Sequence, residues 1–385
     1  LQSHMRFRAV AAIMFASSLG QISLSIALAI TLPERLGAYS FVIPYALAVT
    51  ARTAAAWWLA PIRVRFVPQF GLWISMIPDC ARLFVGSVFL WITNMAGIIV
   101  LGRVHGDVGV AGFFFAFQIA LQVAVLESNL YQVLLPSLSR LQHEPSRLCA
   151  AFLRGCRGIE LVGAPAAIIM AALADPGLRA VFGDKWIAAI VPLQLLGLGV
   201  AMSMTSLSSV AMIKATGRFT TYVVLYACWS VAYAGLAIAG AKGAQDGAIG
   251  VALATFAFYC LLGPVNTWVA IAPMGGRWRD VAGVYVPPVM ASLVSFGAAA
   301  WLAEQWPQTA GRDWARLAIT LLVGAPLCLV LLCRAAPATM AELLTHAEHI
   351  TRRSRHALRA ISLVRSVGAT VNPRFRTLFR PAQAD

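Results

Sequence analysis

Long apolar runs recur along this 385-residue chain, and they limit its fold more than any other feature. A helix needs about 20 mostly apolar residues to cross the hydrocarbon core of a bilayer. Runs of roughly this length predict ten transmembrane helices, at 9–32, 37–60, 83–102, 110–135, 158–174, 187–212, 219–240, 248–271, 281–303 and 313–333. The segments between them are too short to form a domain outside the membrane. We therefore expect an all-α polytopic membrane protein, in keeping with 60% hydrophobic and only 12% charged residues.

The basic residues predict the orientation of the helices. When the loops are assigned alternately to the two sides, one side holds 22 of the 30 lysines and arginines and the other side holds six. Cytoplasmic loops carry the excess of Lys and Arg, so both ends of the chain are expected in the cytoplasm. The net charge of +15 is then mainly a topology signal, and no nucleic acid is needed to explain it. The remaining two, Arg52 and Arg316, lie within predicted helices.

Several catalytic classes lack their motifs here. The chain contains no G-x-x-x-x-G-K-[ST] phosphate loop, no H-E-x-x-H and no G-x-S-x-G, which are signatures of nucleotide, zinc-protease and hydrolase chemistry. The seven cysteines form no C-x-x-C pair, so neither a disulfide framework nor a zinc site is indicated. We predict that the protein is not an enzyme and that it uses no cofactor and no metal.

Two ionisable residues inside predicted helices are candidates for function, because a charge at membrane depth is costly. Arg52 in 37–60 and Glu127 in 110–135 lie at similar predicted depths. One hypothesis is a structural salt bridge between two helices. The other is that the planar guanidinium of Arg52 binds an anionic group such as a phosphate, while Glu127 tunes it or carries a proton.

One face of the 110–135 helix is predicted to be lined with amides. Gln118, Gln122, Asn129 and Gln132 fall within a sector of about 80° at helical spacing. Amides bind hydroxyl-rich ligands without adding charge, as a path for a sugar requires. The alternative is that these amides hydrogen-bond neighbouring helices. Glu127 falls on the opposite side of this helix.

Hydroxyl residues accumulate in the predicted helix 187–212. Small hydroxyl side chains serve close helix packing as often as they line a pore, so both interpretations stay open for this group: Ser203, Thr205, Ser206, Ser208 and Ser209.

The segment after Arg334 predicts an amphipathic helix. Its apolar positions recur at helical spacing from Met340 to Val364, and its arginines lie mostly off this stripe. Such a helix is expected to lie on the anionic inner leaflet. The alternative is that it docks onto a partner.

Several ordered segments within residues 1–275 have a familiar form. They include Leu1-Gln2 with Met5-Arg6-Phe7-Arg8, the turn 36–40 (LGAYS), the hairpin 101–115 (LGRVHGDVGVAGFFF), the helix exit 135–141 (LPSLSRL), 181–186 (VFGDKW) followed by 192–196 (PLQLL), and the turn 214–218 (KATGR). Together they resemble the polysaccharide-biosynthesis, or O-antigen, flippases, the Wzx-like branch of the MOP superfamily.

The resemblance implies a two-lobed helical bundle with six helices in each lobe. Set against that pattern, the first four helices are absent from this sequence, so the resemblance implies an N-terminally truncated chain with an incomplete first lobe. The expected division is a two-helix remainder of the first lobe (1–62), a six-helix lobe (63–275), an extra helix pair (276–333) and a basic amphipathic cytoplasmic tail (334–385).

The resemblance also implies a function. Members of this family carry undecaprenyl-diphosphate-linked oligosaccharides across the cytoplasmic, or inner, membrane by alternating access, and a polysaccharide polymerase or other assembly machinery is an expected partner. On this hypothesis Arg52 binds the diphosphate, the amide face forms the glycan path and Glu127 couples transport to an ion. The alternatives are a membrane glycan polymerase or ligase, and a multidrug antiporter of the same superfamily.

Overall fold

The computed structural model describes residues 7–32, 37, 39–59, 70–306, 311–351 and 355–372. Every regular element in these ranges is helical, which confirms the all-α fold class. The chain divides into two compact units, Leu1–Ile74 and Ser75–Asp385. The predicted four-part division remains a prediction.

The first unit is a helical hairpin. Helix α1 (Phe7–Thr31) packs against α2 (Tyr39–Leu59). Gly37 precedes α2 with a φ of 46°, in the left-handed region that glycine adopts at little cost. The hydroxyl of Ser40 donates to the Gly37 carbonyl at 2.7 Å, so a carbonyl in the turn finds a partner where lipid offers none.

The second unit begins within α3 (Phe70–Arg140), which is broken at Gly106 (φ 70°, ψ −169°). Val110 lies 3.5 Å from the position that a Cβ atom on Gly102 would occupy. Residues eight apart in a straight helix are about 12 Å apart along the axis, so the chain folds back at Gly106. This hairpin corresponds to the two predicted helices 83–102 and 110–135.

The other elements of the second unit follow in chain order. They are α4 (Pro145–Ala172), α5 (Ala174–Phe182), a 3₁₀ segment (Gly183–Ala189), α6 (Ile190–Ser203), α7 (Ser206–Ala215), α8 (Phe219–Gly243), α9 (Gly247–Ile271), a 3₁₀ turn (Ala272–Met274), α10 (Trp278–Glu304), α11 (Arg312–Ala335), α12 (Pro337–Thr351) and α13 (Arg355–Val371).

Small residues set the closest helix crossings. A Cβ atom on Gly240 of α8 would clash with the carbonyl of Gly250 on α9, and one on Gly250 would clash with the carbonyl of Gly240. A Cβ atom on Gly263 of α9 would likewise clash with the carbonyl of Met202 on α6. Such backbone approaches are typical of transmembrane helix packing, where water provides no hydrophobic drive.

Nine helices in the described ranges are long and apolar enough to cross a membrane, so this is a multi-pass membrane protein. The predicted helix 37–60 is present as α2, which has 21 residues but is not among the nine. The predicted span 187–212 lies within 174–215, which is long and apolar enough to cross a membrane, but it is not one continuous helix, because Met204 and Thr205 separate α6 from α7. Helix α4 begins at Pro145, well before the predicted 158.

A charged cluster joins α11 to α5. The Arg316 guanidinium lies 2.6 Å from Asp175 and 3.6 Å from Asp313, and Arg179 binds the other oxygen of Asp175 at 2.8 Å. The Arg316 side chain is only 12% exposed. This arginine, which the loop charges do not explain, is therefore part of an ion-pair network at the beginning of its helix.

The tail packs on the protein itself at the positions that the structure describes. Met340 and Leu344 of α12 are buried in the main core, and Ile361 and Val364 of α13 pack against it. Arg365 of α13 binds Glu348 of α12 at 2.5 Å. The expectation of a lipid-facing stripe is thus corrected at these four apolar positions, because the second unit already covers them.

Candidate functional site at a helix break

The break between α6 and α7 leaves backbone groups without helical partners. The first N–H groups of any helix have no intrahelical acceptor, and at membrane depth each unsatisfied one costs several kcal/mol. Thr205 occupies the N-cap position of α7, but its side chain makes no capping hydrogen bond. The acceptor comes from another helix.

Glu127 of α3 supplies that acceptor. Its Oε1 atom accepts hydrogen bonds from the backbone N–H groups of Leu207 at 2.6 Å and Ser208 at 3.1 Å, and its side chain is buried, with the residue 4% exposed. A helix N-terminus carries a partial positive charge that stabilises a carboxylate. Glu127 therefore closes the first turn of α7.

A second carboxyl group lies nearby on α4. Glu160 is 0% exposed, and neither of its side-chain oxygens has a hydrogen-bond partner within the described part of the chain. It is close enough to Glu127 and to Tyr285 of α10 for electrostatic interaction. Two buried carboxyl groups with different surroundings, one on α3 and one on α4, thus interact electrostatically.

Hydroxyl groups from three helices form a network beside this pair. Thr267 of α9 lies 3.1 Å from the Thr205 hydroxyl and 3.0 Å from that of Tyr285, and Thr205 also bonds Tyr285. Ser209 of α7 joins at 3.1 Å from Thr267. These hydrogen bonds connect the break between α6 and α7 to α9 and α10.

Amide and indole groups extend the cluster toward α8. Asn266 of α9 donates from Nδ2 to the Ser206 hydroxyl at 2.8 Å, and Trp229 of α8 donates from its indole N–H to Oδ1 of Asn266 at 2.9 Å. Polar side chains of α3, α9 and α10 thus bond the residues at the break, and Trp229 of α8 joins them through Asn266.

A cavity of about 190 Å³ opens next to the break. Its walls come from α3, α6, α7, α8 and α9. Among the lining residues that the structure describes, Glu127 is the one ionisable acid and no lysine or arginine is present; the polar lining is Thr93, Asn94, Glu127, Ser203, Ser206, Tyr226, Tyr233 and Tyr259. Hydroxyl and amide groups on an otherwise apolar wall suit an uncharged, hydroxyl-rich ligand.

The predicted site residues do not all line this cavity. Glu127 lines the cavity, whereas Gln118 and Gln122 are exposed and do not line it. Arg52 is exposed on α2 of the first unit. The side chains of Asn129 and Gln132 lie outside the described residues. The functional roles assigned to these residues remain predictions.

Sequence reasoning missed Glu160, Asn266 and Tyr285. Glu160 falls at the edge of the predicted helix 158–174, where an acidic residue is expected to lie at the membrane–water interface. Because α4 begins at Pro145, Glu160 lies about four turns inside the helix. Pro145 was the sequence feature that indicated this earlier start, because proline favours the first turn of a helix.

Comparisons with known proteins relate this chain to polysaccharide biosynthesis. Residues 1–192 match the model of a family described as "Polysaccharide biosynthesis protein". A segment of 136 residues is 29% identical to a Klebsiella pneumoniae protein described as "Uncharacterized membrane protein in cps region"; it covers 34% of this chain and 28% of that protein's length. No solved structure matches the chain. The chain belongs to the polysaccharide biosynthesis family of membrane proteins.

Proposed function

We propose that this protein is a flippase that moves undecaprenyl-diphosphate-linked oligosaccharides across the cytoplasmic membrane for exopolysaccharide or lipopolysaccharide synthesis. Membership of the polysaccharide biosynthesis family supports a role in this process. The observation that carries the proposal is the cavity beside the α6–α7 break, which presents hydroxyl and amide groups and a single carboxyl group on an otherwise apolar wall, formed in part by helices long enough to span a bilayer.

The cavity chemistry fits a glycan. Its hydroxyl and amide groups bond sugar hydroxyls in either direction, since each can donate and accept, while Phe258, Tyr259 and Leu262 offer apolar faces. Ligand pockets for drug-sized molecules measure about 300–1,000 Å³, so a cavity of about 190 Å³ accommodates only part of an oligosaccharide. A glycan would therefore pass along it in successive contacts.

The charged ends of the substrate need other residues. Arg52 remains our candidate for the diphosphate, because a guanidinium binds phosphate oxygens through two parallel hydrogen bonds. Gln118, Gln122, Asn129 and Gln132 remain candidates for the glycan path, and Glu127 for ion coupling. In this proposal the lipid moiety stays in the bilayer, the protein makes and breaks no covalent bond, both ends of the chain are cytoplasmic, and a polysaccharide polymerase receives the product.

Filling the cavity tests the proposal. Ala124 lines it, and Ala111 is an exposed residue of the same helix that does not. We expect a strain lacking the gene to lose surface polysaccharide, and Ala111→Phe to restore it while Ala124→Phe does not, with both variants present in the membrane at equal amounts. Restoration by both variants would refute a role for the cavity.

A reconstituted system separates transport from the alternatives. Purified protein in liposomes should move a fluorescent lipid-linked oligosaccharide to the side accessible to a lectin, and Ala124→Phe should slow this movement. Longer glycans made by the purified protein would indicate a polymerase or ligase instead. Drug efflux without any polysaccharide defect in the deletion strain would indicate a multidrug antiporter.

A further inference from the structure

We infer that Glu160 is a proton-binding site in the interior of the second unit, and that Glu127 is its positioning partner at the helix break. Proton binding at Glu160 is independent of the proposed transport activity, whereas its use to drive transport rests on that proposal. Ion coupling was expected at Glu127 from the sequence, and the geometry points to Glu160 instead.

The hydrogen bonds of the two carboxyl groups differ. Glu127 accepts from two backbone N–H groups at a helix N-terminus, and such donors stabilise its charged form. Glu160 is fully buried, and both of its oxygens lack hydrogen-bond donors in the described structure. Burying a carboxylate without partners is far more costly than burying a neutral carboxylic acid. Glu160 is therefore the group that holds the proton.

The surroundings of Glu160 contain no compensating positive charge that the structure describes. The ionisable groups that interact with it are Glu127 from α3, Tyr285 from α10 and Cys156 from α4 itself. Cys156 lies one turn before Glu160 on α4, and Arg157 follows Cys156 in sequence. Arg157 forms no ion pair with Glu160 within the described contacts.

A proton fits this site better than a metal ion. Cations such as Ca²⁺ and Mg²⁺ require about six converging oxygen ligands. The described residues include no group of three His, Cys, Asp or Glu side chains able to hold a metal, and none of them forms a hydrogen bond with the Glu160 oxygens. A proton needs only the one carboxyl group.

Protonation of Glu160 is linked to the break through Glu127. When Glu160 loses its proton, two negative charges lie together at membrane depth, where like charges repel strongly. The Glu127 carboxylate holds the first turn of α7, so this repulsion weakens the cap. A change of charge at Glu160 would thereby shift the balance between two arrangements of the α6–α7 break, as in other protonation switches.

Infrared difference spectroscopy tests the site directly. Purified full-length protein in liposomes should show the C=O stretch of a buried protonated carboxyl group, and this band should disappear on titration to alkaline pH. We expect Glu160→Gln to abolish the titrating band, Glu127→Gln to retain it, and Glu304→Gln, at an exposed carboxylate, to leave it unchanged. Circular dichroism and size-exclusion chromatography establish that each variant is folded, and Glu160→Asp should restore a carboxyl band if Glu160→Gln does not fold.

Three results would overturn the inference. They are a band that survives in folded Glu160→Gln, a band lost only in Glu127→Gln, and a band removed by sodium ions at constant pH, which would identify a sodium site. The liposome transport assay separates this inference from the proposed function. Loss of the band in Glu160→Gln together with no flipping by the unmodified protein refutes the transport proposal alone. Proton-driven flipping with the band intact in Glu160→Gln refutes the assignment to Glu160 alone.

Discussion

The carboxylate of Glu127 accepts a hydrogen bond from the backbone N–H of Leu207 at 2.6 Å, so a side chain of one helix completes the first turn of another. Because α3 contributes this acceptor, two backbone N–H groups at the α6–α7 break have a partner inside an apolar segment. The acid is thus a structural element of the break as well as part of the cavity wall.

Removing the acceptor should destabilise the second unit. We expect Glu127→Ala to reduce the free energy of unfolding by about 1–3 kcal/mol, because two buried N–H groups lose their partner. Glu127→Gln keeps an acceptor oxygen and should cost less than half as much. Thermal unfolding of the purified protein, followed by circular dichroism, measures both. Glu144→Gln at an exposed carboxylate is the control, and equal losses from Glu127→Ala and Glu144→Gln would contradict the capping role.

The crossing of α9 over α6 should tolerate no side chain at Gly263. A methyl group there would clash with the carbonyl of Met202, so Gly263→Ala should lower the stability by about 1–3 kcal/mol, as overpacking does. Gly235 of α8 has nothing within 4 Å of an added Cβ, and Gly235→Ala should be neutral or stabilising by up to about 1 kcal/mol. Melting temperatures of the two variants in the same detergent decide the point. Equal melting temperatures for both variants would show that the backbones of α9 and α6 do not approach closely at Gly263.

The Arg316 network should contribute more than an exposed ion pair. Arg316→Met leaves Asp175 without its closest partner at a half-buried site, and we expect a loss of about 1–3 kcal/mol. Arg147→Met breaks an exposed pair with Glu144, for which about 0–1 kcal/mol is typical. Thermal unfolding at low and high salt distinguishes the two, since salt screens exposed pairs far more than buried ones. Identical, salt-sensitive losses would argue against a network that joins α11 to α5.

The tail should detach when its buried face is charged. Leu344 is packed in the core, whereas Leu363 is 64% exposed. Leu344→Asp buries an unpaired charge, so we expect α12 and α13 to become sensitive to limited proteolysis while the rest of the chain stays intact. Leu363→Asp should leave the protease pattern unchanged. Rapid cleavage of the tail in both variants, or in neither, would show that the apolar contacts do not hold it.

The proposed role of Arg52 predicts a graded loss of transport. Arg52→Ala removes charge-assisted hydrogen bonds worth about 1.5–3 kcal/mol, so flipping of a diphosphate-linked substrate should fall about ten- to hundredfold. Arg52→Lys keeps the charge but not the planar fork, and should retain an intermediate rate. The liposome assay gives both rates, with a lipid-linked sugar that lacks the diphosphate as the control substrate. Full activity of Arg52→Ala would remove Arg52 from the proposed site.

Hydrophobicity and charge along the chain sufficed for the fold class, for most helix positions and for the choice of Glu127 as a notable residue. These properties are read from local sequence, because a bilayer imposes the same length and polarity on every helix that crosses it. The hydroxyl residues of 187–212 were also recognised, although both interpretations of them stayed open. In the structure Thr205, Ser206 and Ser209 belong to the network that holds a broken helix.

Contacts between distant segments decided the rest. The tertiary structure shows that Glu160 lies well inside α4, because that helix begins at Pro145, and that it interacts with Glu127. The Leu207 N–H and the Glu127 carboxylate are 80 residues apart in sequence, and no local pattern reports such a pair. The same is true of Arg316 and Asp175 and of the tail, whose amphipathic pattern is compatible with either a membrane surface or a protein core. Periodicity shows which side of a helix is apolar, but the surface that covers that side is chosen by packing.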